Sequence, residues 1–105
     1  MRTTEKSLGR FSDAGLLVLA SLADGPKHGY AMIADIDQFS GTNLEPGTLY
    51  GALARLEKSG WIEPLESEDR RRPYRLTAVG EKVLRHQLTT LQGVVKTGTA
   101  RLALS

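Results

Sequence analysis

The feature that most constrains this chain is a change of apolar period at Gly60. Before it, three segments carry helix-type spacing and are separated by Gly and Pro. Directly after it, "WIEPLESEDRRRPYRLT" reads as two short strands around a polar turn, with Trp61, Ile62 and Leu65 before the turn and Tyr74 and Leu76 after it. At Thr77 the helical period returns and continues to the end of the sequence. Three helices, a hairpin and a further helix predict a mainly α (α+β) fold, the outline of a winged helix-turn-helix.

The helices can be placed from their punctuation. "SDAGLLVLASLADG" opens on the N-cap residues Ser12 and Asp13, and Leu16, Leu17, Val18, Leu19 and Leu22 then cover most of its surface. A helix apolar on nearly all sides is buried on more than one of them. Gly25-Pro26 ends it, because proline cannot continue the hydrogen-bond ladder. "KHGYAMIADIDQFSG" is expected to bury a stripe of Tyr30, Ile33 and Ile36, with Met32 and Phe39 at the edges. "LEPGTLYGALARLEKSG" has Pro46 in its first turn, one narrow stripe of Leu49, Leu53 and Leu56, and Gly60 after its end. In the last helix Leu84, Leu88, Leu91 and Val95 recur at four, three and four residues, and Gly98 and Leu102 continue the pattern. That seam suits helix–helix association, although Gly93 and Gly98 each cost roughly 1 kcal/mol relative to Ala. Residues 1–11 are polar apart from Leu8 and Phe11 and read as a flexible arm, which those two side chains could tack down on this chain or on a partner subunit. The expected division is therefore an arm over 1–11, a winged helix-turn-helix over 12–77 and a dimerisation helix over 78–105.

Composition excludes several functions. The chain has 105 residues, one domain by length, and a core so modest that a second subunit is expected to cover part of its apolar surface. With no cysteine, thiol nucleophiles, disulfides and Cys-type zinc sites are all absent. His28 and His86 lie far apart and outside any metal-ligand spacing, and neither a phosphate-cradling GxxxxGK[ST] nor a GxSxG elbow occurs. No enzyme activity and no cofactor or metal are expected. The N-terminus lacks the apolar region of a signal peptide, and no apolar run is long enough to span a membrane, so the expectation is a cytoplasmic protein without membrane contact.

Net charge is only +2, but its distribution is uneven. Between Gly41 and Arg75 six bases meet six acids, yet four of those bases, Arg70, Arg71, Arg72 and Arg75, stand together. Such a cluster is the footprint of a polyanion partner, or else a solvated turn. Its position after the third helix favours the first reading. That helix has one buried stripe, which leaves Thr48, Tyr50, Gly51, Ala54, Arg55 and Lys58 free, and its first half is small: Gly47, Thr48, Gly51 and Ala52. Small side chains let a helix backbone approach the floor of the DNA major groove. The three arginines beside it would form a wing tip that meets phosphates or enters the minor groove. The start of the second helix, Lys27, His28 and Tyr30, would hold a phosphate through free N–H groups and the helix dipole. For two tyrosines a packing role stands beside the DNA role: Tyr50 as a half-buried residue against the wing, Tyr30 as core. Arg55 and Lys58 are either backbone contacts or solvated charges, and Trp61 reads as core.

Three stretches, "LLVLASLADGPKHGYAMIADI", "PGTLYGALARLEKSGWIE" and "RRRPYRLTAVGEKVL", resemble the PadR-like transcriptional regulators from about Leu16 to Leu88. The first two are specific; "RLTxxG" is shared with many winged-helix families. Ala31 departs from the family, which often has an acid there. With room for one C-terminal helix, the chain resembles the short subfamily that dimerises through it. The resemblance implies a homodimeric transcription factor, usually a repressor, that binds double-stranded DNA at an inverted-repeat operator. Gly47, Thr48, Tyr50, Gly51, Arg55 and Lys58 would then lie on the recognition helix, Lys27, His28 and Tyr30 at the start of helix two, and Arg70, Arg71 and Arg72 on the wing. Leu84, Leu88, Leu91, Val95 and Leu102 would form the dimer seam. Some family members release DNA on binding a small hydrophobic effector. Two other readings stand beside this one: a winged-helix module that binds protein, and a ligand-sensing regulator with its pocket at the dimer interface.

Overall fold

A computed structural model describes residues 13–68 and 70–104. The elements run α1 (Ala14–Leu22), α2 (Gly29–Ser40), α3 (Pro46–Lys58), β1 (Ile62–Pro64), β2 (Tyr74–Leu76) and α4 (Ala78–Ala103). β1 and β2 pair antiparallel, with Ile62 opposite Leu76, Glu63 opposite Arg75 and Pro64 opposite Tyr74. This is the expected order of three helices, a two-stranded wing and a long helix.

α1 is the hub. Asp13 caps it by accepting a hydrogen bond from the Gly15 N–H at 2.8 Å. Its consecutive Leu17, Val18 and Leu19 are all buried because α2, α3 and α4 each pack against it. The core is completed by Leu22, Met32, Ile36, Leu44, Leu49, Ala52, Leu53, Leu56, Ile62 and Leu84. The expected stripe of α3, Leu49, Leu53 and Leu56, is buried as a set. Ala52 joins it, so that small residue faces the core and not outward.

α2 differs from expectation by one position round the helix. Met32 and Ile36 are the fully buried pair, with Gly29 one turn before them, while Ile33 is half-buried and Tyr30 and Phe39 lie outside at 62% and 50% exposure. Gly29 is the physical reason. A Cβ built there would lie 2.5 Å from the Tyr50 hydroxyl and 3.3 Å from a Leu49 methyl, so glycine lets α2 approach α3 this closely with Tyr50 in its present place. A glycine at a contact carries no weight in an apolar pattern, and apolar spacing therefore sets the stripe one residue off.

The start of α4 is clamped to the turn after α3. The Thr77 hydroxyl accepts from the Gly80 N–H at 3.0 Å and donates to the Gly60 carbonyl at 2.7 Å, and the Thr77 N–H donates to the Trp61 carbonyl at 3.0 Å. Gly80 lies against that same carbonyl: a Cβ there would fall 1.9 Å from the Trp61 oxygen. Trp61 itself is half-buried at the edge of the core. Gly80, Val83 and Leu84 pack into the winged-helix body, whereas from Arg85 to Leu104 every described residue is exposed. The projecting helix explains a radius of gyration of 15.4 Å, against about 13 Å for a compact chain of this length.

Candidate nucleic-acid interface

The exposed side of α3 follows from its buried one. At 100° per residue the buried leucines and Ala52 occupy one arc, and Gly47, Thr48, Tyr50, Gly51, Ala54, Arg55 and Lys58 fill an opposite arc of about 160°. Gly51 is partly covered and the other six are exposed. Pro46 opens the helix, and among the described residues the N-cap Glu45 makes no side-chain bond to it. The first N–H groups of α3 therefore remain open to a ligand.

Tyr50 leans towards α2. Its ring covers Gly29, which places its hydroxyl over the first turn of α2 while leaving the residue 47% exposed. The packing role and an accessible hydroxyl thus coexist. At that turn His28 caps α2, its Nδ1 accepting from the Ala31 N–H at 3.3 Å. This bond requires the Nδ1 lone pair, so the proton of the neutral ring sits on Nε2. Tyr30 projects into solvent beside it and is not part of the core.

The wing reaches the same place. Beyond the strands, the Leu65 N–H donates to the Pro73 carbonyl at 2.8 Å, which makes residues 66–68 and 70–72 part of the tip. Arg70, Arg71 and Arg72 are exposed there, with no hydrogen bond or salt bridge to any described residue. They line one cavity of about 470 Å³ together with His28, Gly29, Tyr30, Tyr50 and Tyr74. Tyr74 is half-buried in its wall. Burial raises its hydroxyl pKa above the ordinary value; the negative charge of Glu57 adds to this and Arg72 partly offsets it. Residues separated by about forty positions in the sequence so converge on a concave, cationic surface with aromatic walls.

Two expected contacts, Lys27 and Arg55, and one further base of the arginine cluster, Arg75, are placed away from this surface. The Lys27 ammonium turns away from this surface and bonds the Ser21 carbonyl and the Asp24 carboxylate at the end of α1. Its side chain is only 18% exposed. Arg75, a member of the arginine cluster, pairs across the strands with Glu63 at 3.1 Å. Arg55 lies on the far side of α3 from Tyr50, beside a groove of about 290 Å³ between α1, α3 and α4 that Leu16, Trp61 and Val83 also line. Sequence reasoning missed Gly29 as the seat of Tyr50, and Tyr74 as a wall of the cavity and not merely a strand anchor. Lys58 is exposed at the end of α3, as expected.

On α4, Leu88, Leu91, Val95 and Leu102 are 42%, 38%, 65% and 78% exposed. Leu84, the first residue of the expected seam, is buried in the core of its own chain. Among the described residues no group of His, Cys, Asp and Glu could hold a metal ion, and no helix is long and apolar enough to cross a membrane.

Comparison with known proteins agrees with this architecture. A PadR family transcriptional regulator from Eggerthella lenta matches with a TM-score of 0.75 at 28% identity, covering 95% of this chain and 89% of that one. A PadR family regulator from Clostridium difficile matches at 24% identity and a TM-score of 0.77, covering 85% of this chain and 97% of that one, and shows the shared fold. An uncharacterised 37.1 kDa protein in a Streptomyces fradiae transposon, TN4556, is 52% identical over 89 residues, which are 82% of this chain. The chain spans about a quarter of that curated relative's length, 26%. The model of the transcriptional regulator PadR-like family matches residues 18–86, from the middle of α1 into α4. With two thirds of its length inside that match and every element of the winged helix in place, the chain belongs to the PadR-like family of transcriptional regulators.

Proposed function

We propose that the protein is a sequence-specific DNA-binding repressor that acts as a homodimer on an inverted-repeat operator. The observation that supports this is the convergence of Tyr50 of α3, the α2 N-terminus and the wing arginines, which bond no described residue, on one cavity. α3 enters the major groove, where Gly47 and Gly51 permit close approach and Thr48 and Tyr50 reach base edges. The arginines and the capped start of α2 take phosphates on either side, with the wing tip able to follow the minor groove. Lys58, exposed at the end of α3, extends the phosphate contacts. The apolar side chains Leu88, Leu91, Val95 and Leu102 pair two copies of α4, which sets two recognition helices one turn of DNA apart, ~34 Å.

The test is a binding titration on the DNA upstream of the protein's own gene, with random duplex as control, at two salt concentrations. The expected result is operator binding roughly a thousandfold or more tighter than random duplex. Equal weak binding to both would instead support a protein-binding winged helix. Thr48→Ala and Tyr50→Phe are expected to reduce operator preference; equal losses on both duplexes would remove these residues from base reading. A ligand-sensing role is favoured by the groove between α1, α3 and α4, which has an apolar wall of Leu16, Leu19, Trp61 and Val83. A thermal shift on adding a small aromatic compound, lost in Trp61→Ala, would establish it.

A further inference from the structure

Lys27 lies between two phosphate-binding elements yet touches neither with its charge. Its backbone forms a reciprocal pair with the wing: its N–H donates to the Tyr74 carbonyl at 3.1 Å, and the Tyr74 N–H donates to its carbonyl at 2.9 Å. The connection between α1 and α2 therefore acts as a third strand of the wing at one point. One residue after Lys27 is the α2 cap, His28, and two residues before Tyr74 is Arg72. The bridge thus joins the start of α2 to the arginine tip by very short segments of chain.

The side chain fixes that bridge to the body. The Nζ of Lys27 donates to the Ser21 carbonyl in the last turn of α1 and to Asp24, where the negative end of a helix dipole favours a cation. Ser21 is itself held, being 1% exposed and donating from its hydroxyl to the Asp35 carboxylate of α2 at 2.7 Å. The chain Asp35–Ser21–Lys27 so links the middle of α2, the end of α1 and the bridge to β2. A part-buried polar network in which each of these groups has a partner favours one arrangement over its alternatives.

We propose that Lys27 is a positioning residue which holds the α2 N-terminus and the wing arginines at the spacing that lets both engage one duplex, without itself contacting DNA. This rests on the DNA-binding reading above for its functional consequence, but the clamp is testable without DNA. In Lys27→Met, amide hydrogen exchange at Tyr74 and through the wing is expected to accelerate at least roughly tenfold, with α3 unchanged. Asp24→Asn, which removes the charge of one partner while keeping an acceptor oxygen, should do the same more weakly. Unchanged exchange in both variants overturns the clamp, whatever the protein binds. In duplex titrations Lys27→Met should weaken binding roughly tenfold at an unchanged salt slope, and this loss should largely vanish in an Arg70→Ala, Arg71→Ala, Arg72→Ala background. A slope lowered by about 0.9 in the triple-Ala background as well would make Lys27 a phosphate ligand and overturn the proposal. An equal loss in both backgrounds would reduce it to a general structural role and overturn it too. Faster exchange in a protein that ignores duplex DNA would confirm the clamp and sink the DNA-binding reading alone.

Discussion

Two glycines decide close approaches that no apolar pattern reports. At Gly80 a methyl group would occupy the position of the Trp61 carbonyl oxygen, an overlap with backbone that a rotamer change cannot relieve. Gly80→Ala is expected to cost about 3 kcal/mol of stability, seen as a lower urea midpoint at constant m-value. At Gly29 the neighbour is the Tyr50 ring end, which can swing away. Gly29→Ala should therefore leave the fold largely intact but displace Tyr50, and lower operator affinity more than affinity for random duplex; a titration of both duplexes checks this. Asp24 gives a pH-dependent counterpart. Its hydrogen bond to Lys27, reinforced by the lysine's charge, holds its carboxyl below the ordinary value of 3.8. A depressed carboxylate stabilises the fold above its unfolded pKa, and that contribution disappears as pH falls through the lower folded value. Asp24→Asn should accordingly shrink the difference in stability between pH 5 and pH 2, measured by urea unfolding at each pH.

At the scale of elements, the sequence is most legible where apolar spacing and punctuation agree. α3 has Pro46 at its start, Gly60 with φ +80° just past its end and three leucines on one stripe, and it lies where those signals place it. The stripe of α2 is displaced by one position because its tightest approach is at a glycine, and the aromatic residues that dominate its pattern, Tyr30 and Phe39, lie outside the core. α4 is one helix with two environments, a first part packed under α1 and a remainder exposed along its length. Its heptad spacing runs through both, and so spacing alone does not show that Leu84 belongs to the core of its own chain. The remaining seam, Leu88, Leu91, Val95 and Leu102, is the surface proposed to pair two copies. Leu88→Glu with Leu91→Glu should convert a dimer to a monomer in sedimentation at roughly tens of micromolar. Because both positions are exposed within the chain, residual secondary structure by circular dichroism should persist. A wild-type protein that sediments as a monomer would remove the seam.

For the whole molecule, the winged-helix outline is legible because the change of period at Gly60 is a property of the chain itself. The arrangement of the interface is not, since it depends on which way single side chains turn. Lys27, His28 and Tyr30 are neighbours in sequence, yet the first faces α1, the second caps α2 and the third faces solvent. Likewise Arg75 adjoins the arginine cluster but is neutralised by Glu63 across the strands. Only the fold shows that Arg70, Arg71 and Arg72 share a cavity with Tyr50 and the α2 cap, and that convergence is what favours a DNA-binding surface over a solvated basic turn. The central claim is therefore that these three arginines are phosphate ligands. It is tested most directly by the salt dependence of duplex binding in the wild type and in the variant with all three changed to Ala. The account predicts weaker binding to every duplex and a log–log slope shallower by about 0.9 for each phosphate that the variant no longer neutralises, up to about 2.7. An unchanged slope would contradict it.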